Sequence, residues 1–171
     1  GDLTAPQTIS CAAGNFSQSI TLTAGDGTKT ITAAQTDLAG NASSAQRQFI
    51  RDTVAPIITQ TTLSSPYYSN TNAVTFGGAC ESGYSVAIQR NAVSESSVAC
   101  MASNWSYTVA TQTVDATYNY TFTQTDAAGN SANTSAQWIR DTVAPTLTLS
   151  TASYTTFSNS VTFSGTCEFE L

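Results

Sequence analysis

The chain has no histidine, a single lysine at Lys29, one methionine and only 9% charged residues. That scarcity bounds the chemistry. Without histidine, and with no pair of acids recurring where an active site should sit, general acid–base or nucleophilic catalysis is hard to assemble, and the chain does not read as an enzyme. Five basic residues against eleven acidic ones leave a net charge of −6. Such a balance provides no phosphate-tracking surface, so nucleic acid is not an expected partner, and an anionic membrane surface is disfavoured for the same reason. No apolar run approaches the length of a membrane span or of a secretory h-region, and no stretch has a convincing helical period.

What is abundant is Ser and Thr, roughly three residues in ten, a mix of β-branched and small polar side chains that favours strands and turns. Order comes from recurrence. The segment Phe49-Ile-Arg-Asp-Thr-Val-Ala-Pro56 returns as Trp138-Ile-Arg-Asp-Thr-Val-Ala-Pro145, and Thr36-Asp-Leu-Ala-Gly-Asn41 returns as Thr125-Asp-Ala-Ala-Gly-Asn130, both at an offset of 89 residues. A constant offset is the signature of a tandem repeat, with units of ordinary domain size.

The span 56–144 holds one complete unit. Its expected strands are Ile57–Thr62, then Ala73–Cys80 with Val74, Phe76, Gly78 and Cys80 on one face, then short strands carrying Val86 and Ile88, and Val98 and Cys100. Trp105, Tyr107 and Val109 alternate through the next, Tyr118, Tyr120, Phe122 and Gln124 through another, and Asn133–Arg140 closes the unit. Ser64–Asn72, containing Pro66, reads as a loop. About seven short alternating strands without a helix predict an all-β, two-sheet sandwich.

The four cysteines fall into the same frame: Cys11 precedes Cys100 by 89 residues and Cys80 precedes Cys167 by 87. Each repeat owns one cysteine of each kind, no Cys-x-x-Cys or histidine accompanies them, and a thiolate metal site would lack ligands. One disulfide per repeat is the better reading, Cys80 to Cys100 within the chain and Cys167 to Cys11 between neighbouring copies, which implies an oxidising, extracytoplasmic location.

Residues 1–55 match only the back half of the complete unit, since Cys11 and Phe16 align with Cys100 and Trp105, and Ile31–Asp37 with Tyr120–Asp126. Residues 145–171 match only its front half, Val161-Thr-Phe-Ser-Gly-Thr-Cys-Glu168 standing for Val74-Thr-Phe-Gly-Gly-Ala-Cys-Glu81. The expectation is that 1–55 is completed by 145–171 of an adjacent copy, head to tail. Either a covalently continuous array or a filament of strand-complemented subunits satisfies it.

The pattern made by Asp37, Gly40, Asn41, Asp52, Thr53, Ala55 and Pro56, and again by Asp126, Gly129, Asn130, Asp141, Thr142, Ala144 and Pro145, resembles the bacterial immunoglobulin-like repeats of large surface adhesins and fibre proteins. The resemblance implies tandem immunoglobulin-like sandwiches, at the cell surface or outside the cell, serving as a stalk that gives length and stiffness. It also implies calcium at the domain junction, for which Asp37, Asp52, Asp126 and Asp141 are the candidates. Calcium takes six to eight oxygens, whereas each junction offers about two carboxylates. A tight turn, with Asp bonding backbone amides, Gly at positive φ and Asn at the exit, explains the same residues without metal, so no cofactor is required.

Arg51 and Arg140 stand directly before the linker aspartates, which predicts a contact that fixes the angle between units, and Pro56 and Pro145 limit bending by fixing φ. An eleven-residue strand over 116–126 makes each unit about 36 Å long at ~3.3 Å per residue. Tyr67, Tyr68 and Tyr154 are the aromatics available to stack on a host or surface glycan, a competing reading as a carbohydrate-binding module; packing is the alternative role for Tyr67 or Tyr68.

Overall fold

Alternation fixes the central strand. In the computed structural model, which describes residues 2–169, Tyr118, Tyr120, Phe122 and Gln124 are buried, and the residues between them are exposed or half-buried. The same period-two logic builds the other long strands. In chain order the described residues form β1 (Gly27–Thr36), β2 (Ala42–Arg51), β3 (Tyr67–Ser69), β4 (Thr75–Ala79), β5 (Ser85–Arg90) and β6 (Val93–Ala99). They continue with β7 (Asn104–Thr108), β8 (Ala116–Thr125), β9 (Ser131–Arg140), β10 (Leu147–Leu149) and β11 (Gly165–Cys167). Among the described residues there is no helix.

Within 56–144, β3, β9, β8, β5 and β6 lie side by side in one five-stranded sheet, and β4 pairs with β7 in a second. Their inner faces meet in one core. Phe76 of β4 packs on Tyr120 and Phe122 with ring centroids 4.9 and 5.3 Å apart, and Trp105 of β7 sits 4.5 Å from Phe122. Trp138 of β9 stacks on Tyr118 at 5.2 Å. Both indoles satisfy their N–H, as buried indoles must: Trp105 Nε1 donates to the Thr59 carbonyl at 2.9 Å and Trp138 Nε1 to Ser69 Oγ at 3.0 Å. A disulfide joins Cys80 to Cys100. The described residues are therefore all-β, with sandwich-like packing of two sheets and a disulfide within 56–144. Outside this region β1 and β2 form an antiparallel hairpin, and β10 pairs with β11.

Two expectations need correction. Ile57–Thr62 is not a regular strand, although Thr59 N–H donates to the Ala79 carbonyl at 3.0 Å and Thr61 N–H to that of Gly77 at 2.9 Å. The ladder is broken because the Thr59 hydroxyl accepts the Ala79 N–H (3.0 Å) in place of a backbone carbonyl. The segment still runs so close to β4 that a Cβ at Gly78 would collide with the Thr59 carbonyl. The predicted loop Ser64–Asn72, conversely, contains β3, which pairs in parallel with β9. Its turn-forming residues hid a strand that is held from outside, by half-buried Tyr67 against the core and by the bond from Trp138 to Ser69.

Candidate functional site

The end of each long hairpin is tied to the segment that follows it by one carboxylate. Asp115 accepts hydrogen bonds from the Thr142 N–H (3.0 Å), from the Thr142 hydroxyl (2.8 Å) and from Arg140 Nη1. Asp26, 89 residues earlier, accepts from Arg51 Nη1 at 2.7 Å, from the Thr53 N–H at 3.1 Å and from the Thr53 hydroxyl at 2.9 Å. In both places the carboxylate spans the last residue of the hairpin and the first turn of the linker. Arg140 is buried and makes a further bond, from Nη2 to Asn72 Oδ1 at 2.7 Å, which adds the loop before β4 to the latch.

Each arginine thus makes an ion pair with a carboxylate 25 residues earlier in the chain. Arg51 and Arg140 do not pair with Asp52 and Asp141, because adjacent residues of an extended chain point to opposite sides. The linker aspartates cap their own backbone instead: Asp52 accepts the Val54 N–H at 3.0 Å and Asp141 the Val143 N–H at 2.9 Å. Sequence reasoning passed over Asp26 and Asp115. The usable signal was their spacing of 89 residues, the offset at which the two longer segments recur.

The predicted turns are built as expected from their residues. Asp37 Oδ1 accepts the N–H groups of Ala39 (2.9 Å) and Asn41 (2.8 Å), and Oδ2 accepts Asn41 Nδ2 at 2.8 Å. Asp126 does the same with Ala128 (2.8 Å), Asn130 (2.9 Å) and Asn130 Nδ2 (2.9 Å). Gly40 and Gly129 take φ of +89° and +92°, where any other residue is strained. Asn130 Nδ2 also reaches the Asp52 carbonyl at 3.2 Å, so this turn touches the linker that enters the unit. Among the described residues no three His, Cys, Asp or Glu side chains converge on one point. The carboxylate oxygens of Asp37 and Asp126 are already engaged by their own turns.

Hydrogen bonding to the charged form holds four carboxyls below the usual carboxylate range. For Asp26 and Asp115 the largest cause is the hydroxyl of Thr53 or Thr142, reinforced by the neighbouring arginine; for Asp37 and Asp126 it is the side-chain amide of Asn41 or Asn130. Desolvation opposes the shift in each case. A carboxyl whose folded pKa is depressed contributes stability that is present above its unfolded pKa and is lost as pH falls through the folded value. Urea unfolding followed by tryptophan fluorescence should therefore show stability falling below about pH 4, and Asp115→Asn should flatten the fall. A profile of the unsubstituted chain that is level from neutral pH to pH ~3 would contradict this.

No family model matches the chain, and no curated protein matches it. The remaining predicted positions are therefore weighed on geometry alone. Tyr67 is half-buried against the core, whereas Tyr68 and Tyr154 are exposed, Tyr154 in the segment outside 56–144. Pro56 is buried and Pro145 exposed. Cys11 and Cys167 are free and exposed.

The disulfide has a partner that sequence reasoning placed on the core face without a role. Gln124 is fully buried in β8; its Oε1 accepts the Glu81 N–H at 2.9 Å and its Nε2 donates to the Glu81 carbonyl at 2.8 Å. This paired amide takes the place of a missing strand neighbour for the residue after Cys80. With Cys100 N–H bonded to the Tyr84 carbonyl at 3.0 Å, the corner from 80 to 84 is held from two sides.

Proposed function

We propose that the chain is a mechanical element of an extracellular fibre or adhesin stalk, made of immunoglobulin-like β-sandwich repeats that supply length and stiffness. In this reading 56–144 is one complete repeat, and 1–55 and 145–171 are parts of repeats. The observation that carries it is the latch of Asp115, Arg140 and Thr142, reproduced by Asp26, Arg51 and Thr53, each at the end of a long hairpin. A hydrogen-bonded brace at the exit of every unit, followed by a proline of fixed φ, resists bending at the joint. The buried disulfide points to an oxidising compartment and hardens the unit against unfolding. The resemblance to bacterial surface repeats agrees in kind.

The competing class is a glycan-binding module. The half-burial of Tyr67 against the core opposes it, since that ring packs inside the fold rather than facing a ligand. The intact chain applied to a glycan array is expected to retain no ligand. Saturable binding of one glycan that is lost in Tyr68→Ala would overturn the mechanical reading.

A further inference from the structure

We infer that residues 65–72, held against residues 137–141, are the load-bearing clamp of the 56–144 unit, and that tension along the chain meets this patch in shear. The inference rests on the mechanical reading above and names the residues that carry the load.

Direction decides how a strand pair resists. A pair pulled apart at one end opens rung by rung, whereas a pair drawn along its axis from opposite ends loads all of its rungs together. Tension along the chain reaches this unit through Pro56 and leaves it beyond Arg140, whatever precedes or follows. β3 runs parallel to β9, with Tyr67 opposite Trp138, Tyr68 opposite Ile139 and Ser69 opposite Arg140. The incoming pull acts on the first residue of β3 and the outgoing pull on the last residue of β9, in opposite senses along two parallel strands. That is shear.

The rest of the unit is shielded. Ahead of β3, the irregular 57–62 segment is joined to β4 by isolated bonds, among them Thr59 N–H to the Ala79 carbonyl and Thr61 N–H to that of Gly77. Its release lengthens the chain by a few residues and passes the load to β3. The β5–β6, β5–β8 and β8–β9 pairs are antiparallel and lie behind the β3–β9 contact. Once 57–62 is free, the strands between β3 and β9 are stretched only after β3 has left β9.

Three rungs alone make a short patch, and side chains extend it in both directions. Before β3, Ser65 Oγ accepts the Gln137 N–H at 3.0 Å. At its end, Ser69 Oγ accepts from Trp138 Nε1 at 3.0 Å, and the Ser69 carbonyl accepts the Asp141 N–H at 3.1 Å. Beyond it, Asn72 Oδ1 accepts from Arg140 Nη2 at 2.7 Å. Each of these bonds crosses between the two segments that tension draws apart. The patch is also seated in the core. Trp138 is fully buried and stacks on Tyr118 of β8, Tyr67 packs against the same cluster, and buried Arg140 is paired to Asp115. An indole enclosed on all sides cannot slide past its neighbour without losing apolar contact, so axial slip costs burial as well as hydrogen bonds.

Mechanical lifetime and equilibrium stability then have different determinants. Forced unfolding follows the rate of crossing the barrier, and that rate responds to interactions already lost at the barrier rather than to the core as a whole. The test holds the intact, oxidised chain at constant force from both ends and reads the lifetime of the 56–144 event. Ser65→Ala and Asn72→Ala each delete one acceptor of the clamp at an exposed position, and urea unfolding confirms that both variants fold. Each should shorten the lifetime roughly twofold to tenfold, the effect of one hydrogen bond broken at the barrier. Ile88→Val thins the core in β5, away from the load path. It should lower urea stability and leave the lifetime at force unchanged. A resolved event whose lifetime ignores both clamp variants, or is shortened as much by Ile88→Val, would overturn the clamp and leave the mechanical reading standing. A chain that extends with no resolved event would overturn both.

Discussion

Trp138→Ala should lower the stability of the 56–144 unit by about 3–5 kcal/mol, the usual range for removing a large aromatic from a core. The side chain is fully buried, stacks on Tyr118 and donates its N–H to Ser69, so the substitution leaves a cavity and removes a hydrogen bond together. It also removes the anchor of β3, whose pairing to β9 runs through residues 67–69. Because a domain of this size is stable by only about 5–15 kcal/mol, the variant should unfold at low urea or fail to fold. Phe49→Ala, at the position 89 residues earlier, should change the stability of the chain by no more than ~0.5 kcal/mol, as at an ordinary surface site. Urea denaturation monitored by near-ultraviolet circular dichroism separates the two. Equal losses for both would contradict the assignment of 56–144 as the complete core.

Loss of the Cys80–Cys100 bond should be the second large effect. The bond closes a 20-residue separation, for which the loss of chain entropy in the unfolded state corresponds to about 3 kcal/mol. At a urea dependence of about 1–3 kcal/mol/M, the midpoint should fall by about 1–3 M when both cysteines are replaced by serine. Both sulfurs belong to buried residues, so a reductant added to the folded chain should act at the rate of unfolding rather than at the rate of an exposed disulfide. Rapid reduction under native conditions, or a midpoint unchanged in the double variant, would refute this account of the bridge.

Much of the fold was legible because alternation is a strong signal when one face is buried. The residues expected on the core face of the long strand, Tyr118, Tyr120, Phe122 and Gln124, are all buried, and the Cys80–Cys100 pairing followed from repeat position. The short elements were harder. Strand β3 has too few residues for a period and contains turn formers; its pairing is dictated by Trp138, about seventy positions away. At Ile57–Thr62 the pattern was right and the ladder wrong, because the Thr59 side chain competes with its own backbone. The latch was half read. Arg51 and Arg140 were chosen for their place beside the linker, but their carboxylate partners lie 25 residues away in sequence, and only the strand pairing brings them together. The turns of Asp37 and Asp126 were the clearest case, since all their bonds are local.

The central claim is mechanical, and stretching single molecules of the chain tests it most directly. Pulling from both ends should give a distinct unfolding event for 56–144, with the residues between Cys80 and Cys100 withheld from extension while the bond is intact. On reduction the released length should grow by roughly 70 Å, about twenty residues at full extension, and the rupture force should fall. Extension without a resolved unfolding event, or a released length that is the same before and after reduction, would contradict the account.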